Sequence, residues 1–159
     1  MSGEFERILG TAREVLFLCS GNMVRSAFAE LYARHLGCPL AVGSAATHFR
    51  NDHILAETAR ALEARGVPPA WTRAFQPRHL SDLLEELDPD TLVLGMARMH
   101  LLSLERRPAL LRRAFLLGRL VGEPDEIEDP VLEGADFDLT FQRIAVCVES
   151  LVERLARVV

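Results

Sequence analysis

The chain is predicted to be an α/β protein of three layers, a four-stranded parallel sheet with helices on both faces. Three observations lead there. Short apolar runs alternate with longer segments of helical period, the pattern of strand–helix units feeding a parallel sheet. The runs at residues 15–18 and 92–96 are apolar at consecutive positions, as in strands covered on both sides. Gly37, Gly66, Pro89 and Gly118 close successive segments, so element ends are marked in the sequence itself.

Taken in order, residues 1–13 read as an N-terminal extension, a short helix or none, ahead of a single domain at 14–159. The first strand, at residues 15–18, runs into a short loop and then a helix that continues to about Leu36 and stops at Gly37. Residues 40–42 form a short second strand, followed by a small-residue turn at 43–47 and a polar loop at 48–52. A helix over 54–65 places Leu55, Ala59 and Leu62 on one face, and Val67-Pro68-Pro69 breaks it. Residues 80–87 repeat leucine at helical spacing and stop at Asp88-Pro89. The third strand spans 91–96, and residues 100–105 belong to a helix that Pro108 interrupts.

Residues 114–117 carry no decisive period, but their length and the closing Gly118 make them the fourth strand. An irregular acidic stretch follows at 122–130. The last element, 137–158, has Phe141, Ile144, Val148, Leu151 and Leu155 on one stripe, an amphipathic helix.

Composition narrows the class of function. At 159 residues, with 49% apolar and 26% charged side chains, the chain has enough apolar material for one core and is not of disordered composition. A net charge of -5 without a basic run argues against a nucleic-acid partner. The pairs Arg106-Arg107 and Arg112-Arg113 are diluted by Glu105 and apolar neighbours and read as a solvated helix face. Cys19, Cys38 and Cys147 show neither Cys-x-x-Cys nor zinc spacing, which suits a reducing compartment. Cys38 and Cys147 fall in helix patterns and read as packing residues, as do Met96 and Met99. His35, His48, His53, His79 and His100 have no ligand spacing, so no metal site and no cofactor are expected. The N-terminus lacks an apolar signal core, and no run reaches the roughly 18–20 residues needed to span a bilayer. A cytoplasmic location without a membrane partner is the expectation.

The chemistry concentrates where the first strand ends, the position at which open α/β sheets bind ligands. Cys19 and Arg25 flank the loop Ser20-Gly21-Asn22-Met23-Val24, and a helix begins at once. Free amide groups and the dipole at that helix N-terminus favour negative charge on the sulfur. Backbone amides from about Ser20 to Arg25 form a nest for phosphate oxygens, and the Arg25 fork matches two of them. Gly21 permits the tight turn, and Asn22 tolerates a left-handed backbone better than most residues. Cys19 is thus a candidate nucleophile, Arg25 an oxyanion clamp, and Ser26 a hydroxyl donor to the sulfur. The segment is predicted to be a phosphate-binding loop. A leaving ester oxygen also needs a proton; Asp129, stiffened by Pro130, is the chosen donor, with Glu128 a substitute and Asp125 a weaker one.

Residues 15–30, with C-x-G-N-x-x-R-S between a strand and a helix, resemble the signature of the low-molecular-weight protein-tyrosine phosphatases. Ser44-Ala45-Ala46-Thr47, Met96 and Asp129-Pro130 follow in the family's order, so the likeness covers nearly all of 14–157. The resemblance implies two-step hydrolysis of phosphotyrosine in protein substrates without a metal: Cys19 attacks, Arg25 holds the phosphate, and Asp129 serves as acid and then base. It also implies that Ser20, Gly21, Asn22, Met23, Val24 and Ser26 form the phosphate site and that Ser44 supports the loop.

Departures are visible as well. Val24 stands where many members carry a second cysteine, and Val131 and Leu132 stand where two tyrosines often wall the substrate ring. A family histidine behind the loop is replaced near Trp71; Phe49 and Trp71 are candidates for an aromatic wall. Four other functions compete, of which phosphate binding without catalysis is disfavoured because no signature residue is missing. A protein-arginine phosphatase of the same fold resembles a version with a small polar residue at Met23. An arsenate reductase would need two further cysteines on a mobile segment. A phosphocysteine carrier would need neither Arg25 nor Asp129. The oligomeric state is not legible.

Overall fold

Everything is organised around β1 (Glu14–Cys19), which is buried from Val15 onward and pairs in parallel with a strand on each side. The computed structural model describes residues 3–158. The sheet has the order β2-β1-β3-β4, with β2 at Ala41–Ala46, β3 at Thr91–Gly95 and β4 at Ala114–Leu116, all parallel. Val15 sits opposite Val42 and Leu92, and Cys19 opposite Ala46. Parallel neighbours require crossover connections, and the helices supply them.

Alternate residues of β1 feed two cores. Val15, Phe17 and Cys19 face a large cluster built with helices α1 (Gly3–Thr11), α2 (Arg25–His35) and α7 (Phe137–Val158). Leu16 and Leu18 face a smaller one that includes Leu80, Leu104 and Leu110. Leu110 belongs to α6 (Pro108–Leu111), and Leu80 and Leu104 to 3-10 turns at Leu80–Asp82 and Leu102–Leu104. Helix α7 matches its predicted bounds, and Phe141 stacks on Phe28 of α2 at 4.8 Å. Gly37, at φ +78°, adopts the left-handed turn that ends α2. The N-terminal extension forms a helix: Phe5 and Leu9 of α1 are fully buried, and Phe5 meets Phe115 of β4 edge-on.

Several expectations are corrected. The small residues 43–46 extend β2 instead of turning, because they pair residue by residue with β1. The segment 80–87 is one 3-10 turn and further turns, not a helix; Leu80 still reaches the core, and Leu83, Leu84 and Leu87 pack against it. Pro69 and Pro108 start short helices, α4 (Pro69–Ala74) and α6, because proline fits the first helical turn where no amide partner is needed. The helix expected at 54–65 is α3, Ala56–Ala64. That expected at 100–105 is divided between α5 (Arg98–Leu101) and the following 3-10 turn. Cys38 lies beyond the end of α2, and Met99 is exposed where a core position was expected.

Candidate active site

Cys19 ends β1 and is buried, with α2 starting six residues later. Its sulfur lies 2.9 Å from Ser26 Oγ and accepts from the Ser26 amide at 3.4 Å, in the first turn of that helix. The intervening loop is held open by bonds to its carbonyls. His48 and Phe49 amides donate to Ser20 O, Asn51 Nδ2 donates to Gly21 O at 2.9 Å, and Thr58 Oγ1 and the Leu55 amide donate to Met23 O. A Cβ at position 21 would stand 2.8 Å from Asn51 Nδ2, so a larger residue there would push aside the side chain that binds Gly21 O.

Asn22 takes the left-handed backbone at φ 55° and is fully buried. Its Oδ1 accepts the Arg78 amide at 2.8 Å, which fixes the amide's orientation. Its Nδ2 then donates to Ser26 Oγ and to Ser44 Oγ, each at 2.8 Å. Ser44 Oγ donates in turn to Glu30 Oε1 at 2.7 Å, and Arg34 grips the other carboxylate oxygen at 2.7 Å. The direction of this network follows from its ends. An ionised carboxylate only accepts, so Ser44 must give its proton to Glu30. Ser26 accepts from Asn22 and keeps its own proton for the Cys19 sulfur. The Cys19 sulfur thus faces two groups of Ser26, its hydroxyl and its amide.

Arg25 is buried beside this loop. Its Nη1 donates to Ile127 O at 2.7 Å, while Nη2 lies 3.2 Å from Asp129 Oδ2 and 3.5 Å from Ser20 Oγ. Asp129 Oδ1 accepts the Val131 and Leu132 amides, forming the turn that Pro130 stiffens. Cys19, Arg25 and Asp129 line a cavity of about 390 Å³. Ser20, Gly21, Met23 and Val24 line it as well, whereas Asn22, Ser26 and Ser44 sit behind it as supports. Phe49, Val131 and Leu132, all more than half exposed, form its outer wall.

The structure separates other candidates from the cavity. Trp71 lies against Arg34 and lines a different hollow with Glu30, so it is no wall of this site. Asp125 is engaged by Arg98 at 2.5 Å and Glu128 is exposed. Cys19, Cys38 and Cys147 are all free thiols; burial raises that of Cys38 and pushes that of Cys147 up to about 11.

Two residues escaped the sequence reading. Glu30 is the carboxylate that orients the relay, and its only signal was being a lone charge within the apolar run 27–33. His100 is fully buried with Nε2 3.0 Å from Ser20 Oγ, and its signal was its position just past the end of β3.

A family model described as low molecular weight phosphotyrosine protein phosphatase matches residues 14–159. The chain belongs to that family. Family membership makes it a phosphoric monoester hydrolase. Among solved structures, it is similar to the tyrosine phosphatase Wzb from Escherichia coli K30, at 24% identity over 91% of this chain and 99% of that one, TM-score 0.75. The low molecular weight protein tyrosine phosphatase of T. tengcongensis is 25% identical over 93% and 100% of the two chains, TM-score 0.68. YwlE arginine phosphatase from Geobacillus stearothermophilus is 25% identical over 91% of each, TM-score 0.69. No curated protein matches the chain. Among the described residues, no helix is long and apolar enough to cross a membrane.

Proposed function

We propose that this phosphatase hydrolyses phosphotyrosine in cytoplasmic protein substrates through a phosphocysteine, without a cofactor. The observation that carries the reading is the hydrogen-bond chain that delivers the Ser26 hydroxyl to the Cys19 sulfur, beside Arg25 and Asp129 in one cavity.

The steps follow from those groups. The phosphate ester enters the loop, and its oxygens compete with Asp129 for Arg25 Nη2. Cys19 attacks phosphorus in line, forming the S–P bond as the P–O bond to the phenol breaks. Asp129, released from Arg25, takes up a proton from solvent and gives it to the departing oxygen. Water then attacks the phosphocysteine, Asp129 takes its proton, and the S–P bond breaks to return the sulfur anion and inorganic phosphate. Throughout, loop amides and Arg25 meet the charge that develops on the phosphoryl oxygens.

Met23, Phe49, Val131 and Leu132 give the entrance an apolar lining suited to an aromatic ring. A guanidinium would gain little from it, which sets tyrosine ahead of arginine phosphate although relatives of both descriptions exist. Arsenate reduction lacks support, since neither Cys38 nor Cys147 lines the cavity. The test compares kcat/KM on phosphotyrosine, phosphoserine and phosphoarginine peptides, with phosphotyrosine expected to be preferred. Cys19→Ser should abolish turnover while still binding vanadate. Faster cleavage of phosphoarginine would overturn the substrate assignment, and turnover by the serine variant would overturn the nucleophile.

A further inference from the structure

His100 closes a polar contact on the loop that no signature residue accounts for. The side chain stands on α5, 80 positions along the chain from Ser20, and has no exposed surface. Both ring nitrogens are engaged. Nδ1 accepts the Ala97 amide at 3.0 Å, and Nε2 lies 3.0 Å from Ser20 Oγ. A backbone amide can only donate, so Nδ1 carries no proton and the neutral ring must hold its proton on Nε2. That N–H therefore donates to Ser20. A second proton on the ring is opposed by burial, by Arg25 and by His48, which together push its pKa down to about 3.

The consequence falls on the serine. Its oxygen has two acceptor positions and one proton. His100 takes one acceptor position, and Arg25 Nη2 approaches the other at 3.5 Å. With donors on both, the hydroxyl proton is left for an acceptor arriving in the cavity that Ser20 lines. We propose that His100 is a positioning residue that turns the Ser20 hydroxyl into a hydrogen-bond donor for a phosphoryl oxygen, alongside the Arg25 guanidinium. The inference rests on the phosphatase reading of this cavity, and adds to the loop amides a side-chain donor that strengthens as charge builds on the transferring group.

The experiment is a double-mutant cycle on the full chain with His100→Leu, Ser20→Ala, both together, and His100→Gln, whose amide can accept at one atom and donate at the other. Turnover of an aryl phosphate and vanadate affinity are both measured. Each single variant should lose about 10-fold or more in kcat/KM, mostly in kcat. The double variant should match the worse single within about 2-fold, and His100→Gln should recover most of the loss. Vanadate affinity should fall in the same order. Losses that multiply, or full activity in Ser20→Ala, would overturn the proposal.

Should His100→Leu fail to fold, nitrogen-resolved imidazole NMR on the unaltered protein decides instead. The ring should remain the Nε2–H tautomer from about pH 5 to pH 8. Titration near 6.5, or a proton on Nδ1, would refute the assignment. If the unaltered protein turned over no phosphate ester, the phosphatase reading would fail alone, and the vanadate series would still report whether His100 acts through Ser20.

Discussion

Asp129 carries two duties at the scale of one residue. Its Oδ2 pairs with buried Arg25 at 3.2 Å, occupying part of the fork that a phosphate would use, while Oδ1 ties down its own turn. Replacing it with alanine removes the proposed proton donor and also leaves a buried guanidinium without its carboxylate. Asp129→Ala should therefore slow esters of poor leaving groups, such as tyrosine, by about 10²–10⁴-fold. Esters of strongly acidic phenols should be slowed far less, because their oxygen departs without a proton. The same variant should bind inorganic phosphate more tightly, since an unpaired buried cation gains more from an anion. Equal losses on both ester classes in steady-state kinetics would move the acid elsewhere. Asp129 was legible in sequence because Asp-Pro stiffens a loop just beyond the fourth strand, as Cys19 and Arg25 were because they share one short loop. Glu30 and His100 were not, for a physical reason. Their roles come from bonds made across the fold, and a helical glutamate or a single histidine has no local pattern that reveals a buried partner.

At the scale of elements, the segment between β4 and α7 is irregular yet tightly held. Its anchor at the active site is Ile127, whose amide donates to Met96 O and whose carbonyl receives Arg25. Its other anchor is Arg143 of α7, where Nη2 approaches the carbonyls of Gly118, Gly122 and Pro124, and Nε is buried without a partner. A side chain that serves three carbonyls substitutes for the missing regular structure. Arg143→Ala should leave those carbonyls short of a donor and lower stability by about 1–3 kcal/mol, read from denaturant midpoints. Because Asp129 rides on the same segment, kcat on poor leaving groups should fall while activated esters change little. A stable variant with unchanged kinetics would refute the link. The sequence showed this stretch as acidic and irregular but could not show what pins it. Similarly, residues 43–46 have weak strand propensity, and only their pairing with β1 keeps them extended. The leucines at 80–87 read as a helix because burial sets their spacing, and a run of turns against the sheet meets the same demand.

For the whole molecule, the sheet's two faces are unequal, and the larger core depends on an element that lies before the family match begins. Helix α1 contributes Phe5, Ile8 and Leu9 to the same cluster as α2 and α7. It is tied further by Arg113, which reaches Thr11 Oγ1 and the Ile8 carbonyl, and by an ion pair between Glu6 and Arg154. Phe5 closes the β4 side of the sheet against Phe115, with ring centroids 4.9 Å apart. The candidate site lies at the opposite ends of the strands, since β1 begins directly after α1 and ends at Cys19. Cys19 faces the same core as α1, but from the far end of β1, so stability and chemistry should respond separately to changes in that helix. Phe5→Ala should cost about 3–5 kcal/mol, the range for emptying a fully buried aromatic position, because the rigid sheet cannot collapse into the gap. Denaturant unfolding should register that loss, while KM and kcat at a temperature where the variant is fully folded should stay within about 2-fold, as Phe5 packs at the β4 side and lines no part of the cavity. A large change in kcat at preserved fold would mean that α1 sets the geometry of the phosphate loop through β1, and the separation argued from the strand direction would be wrong.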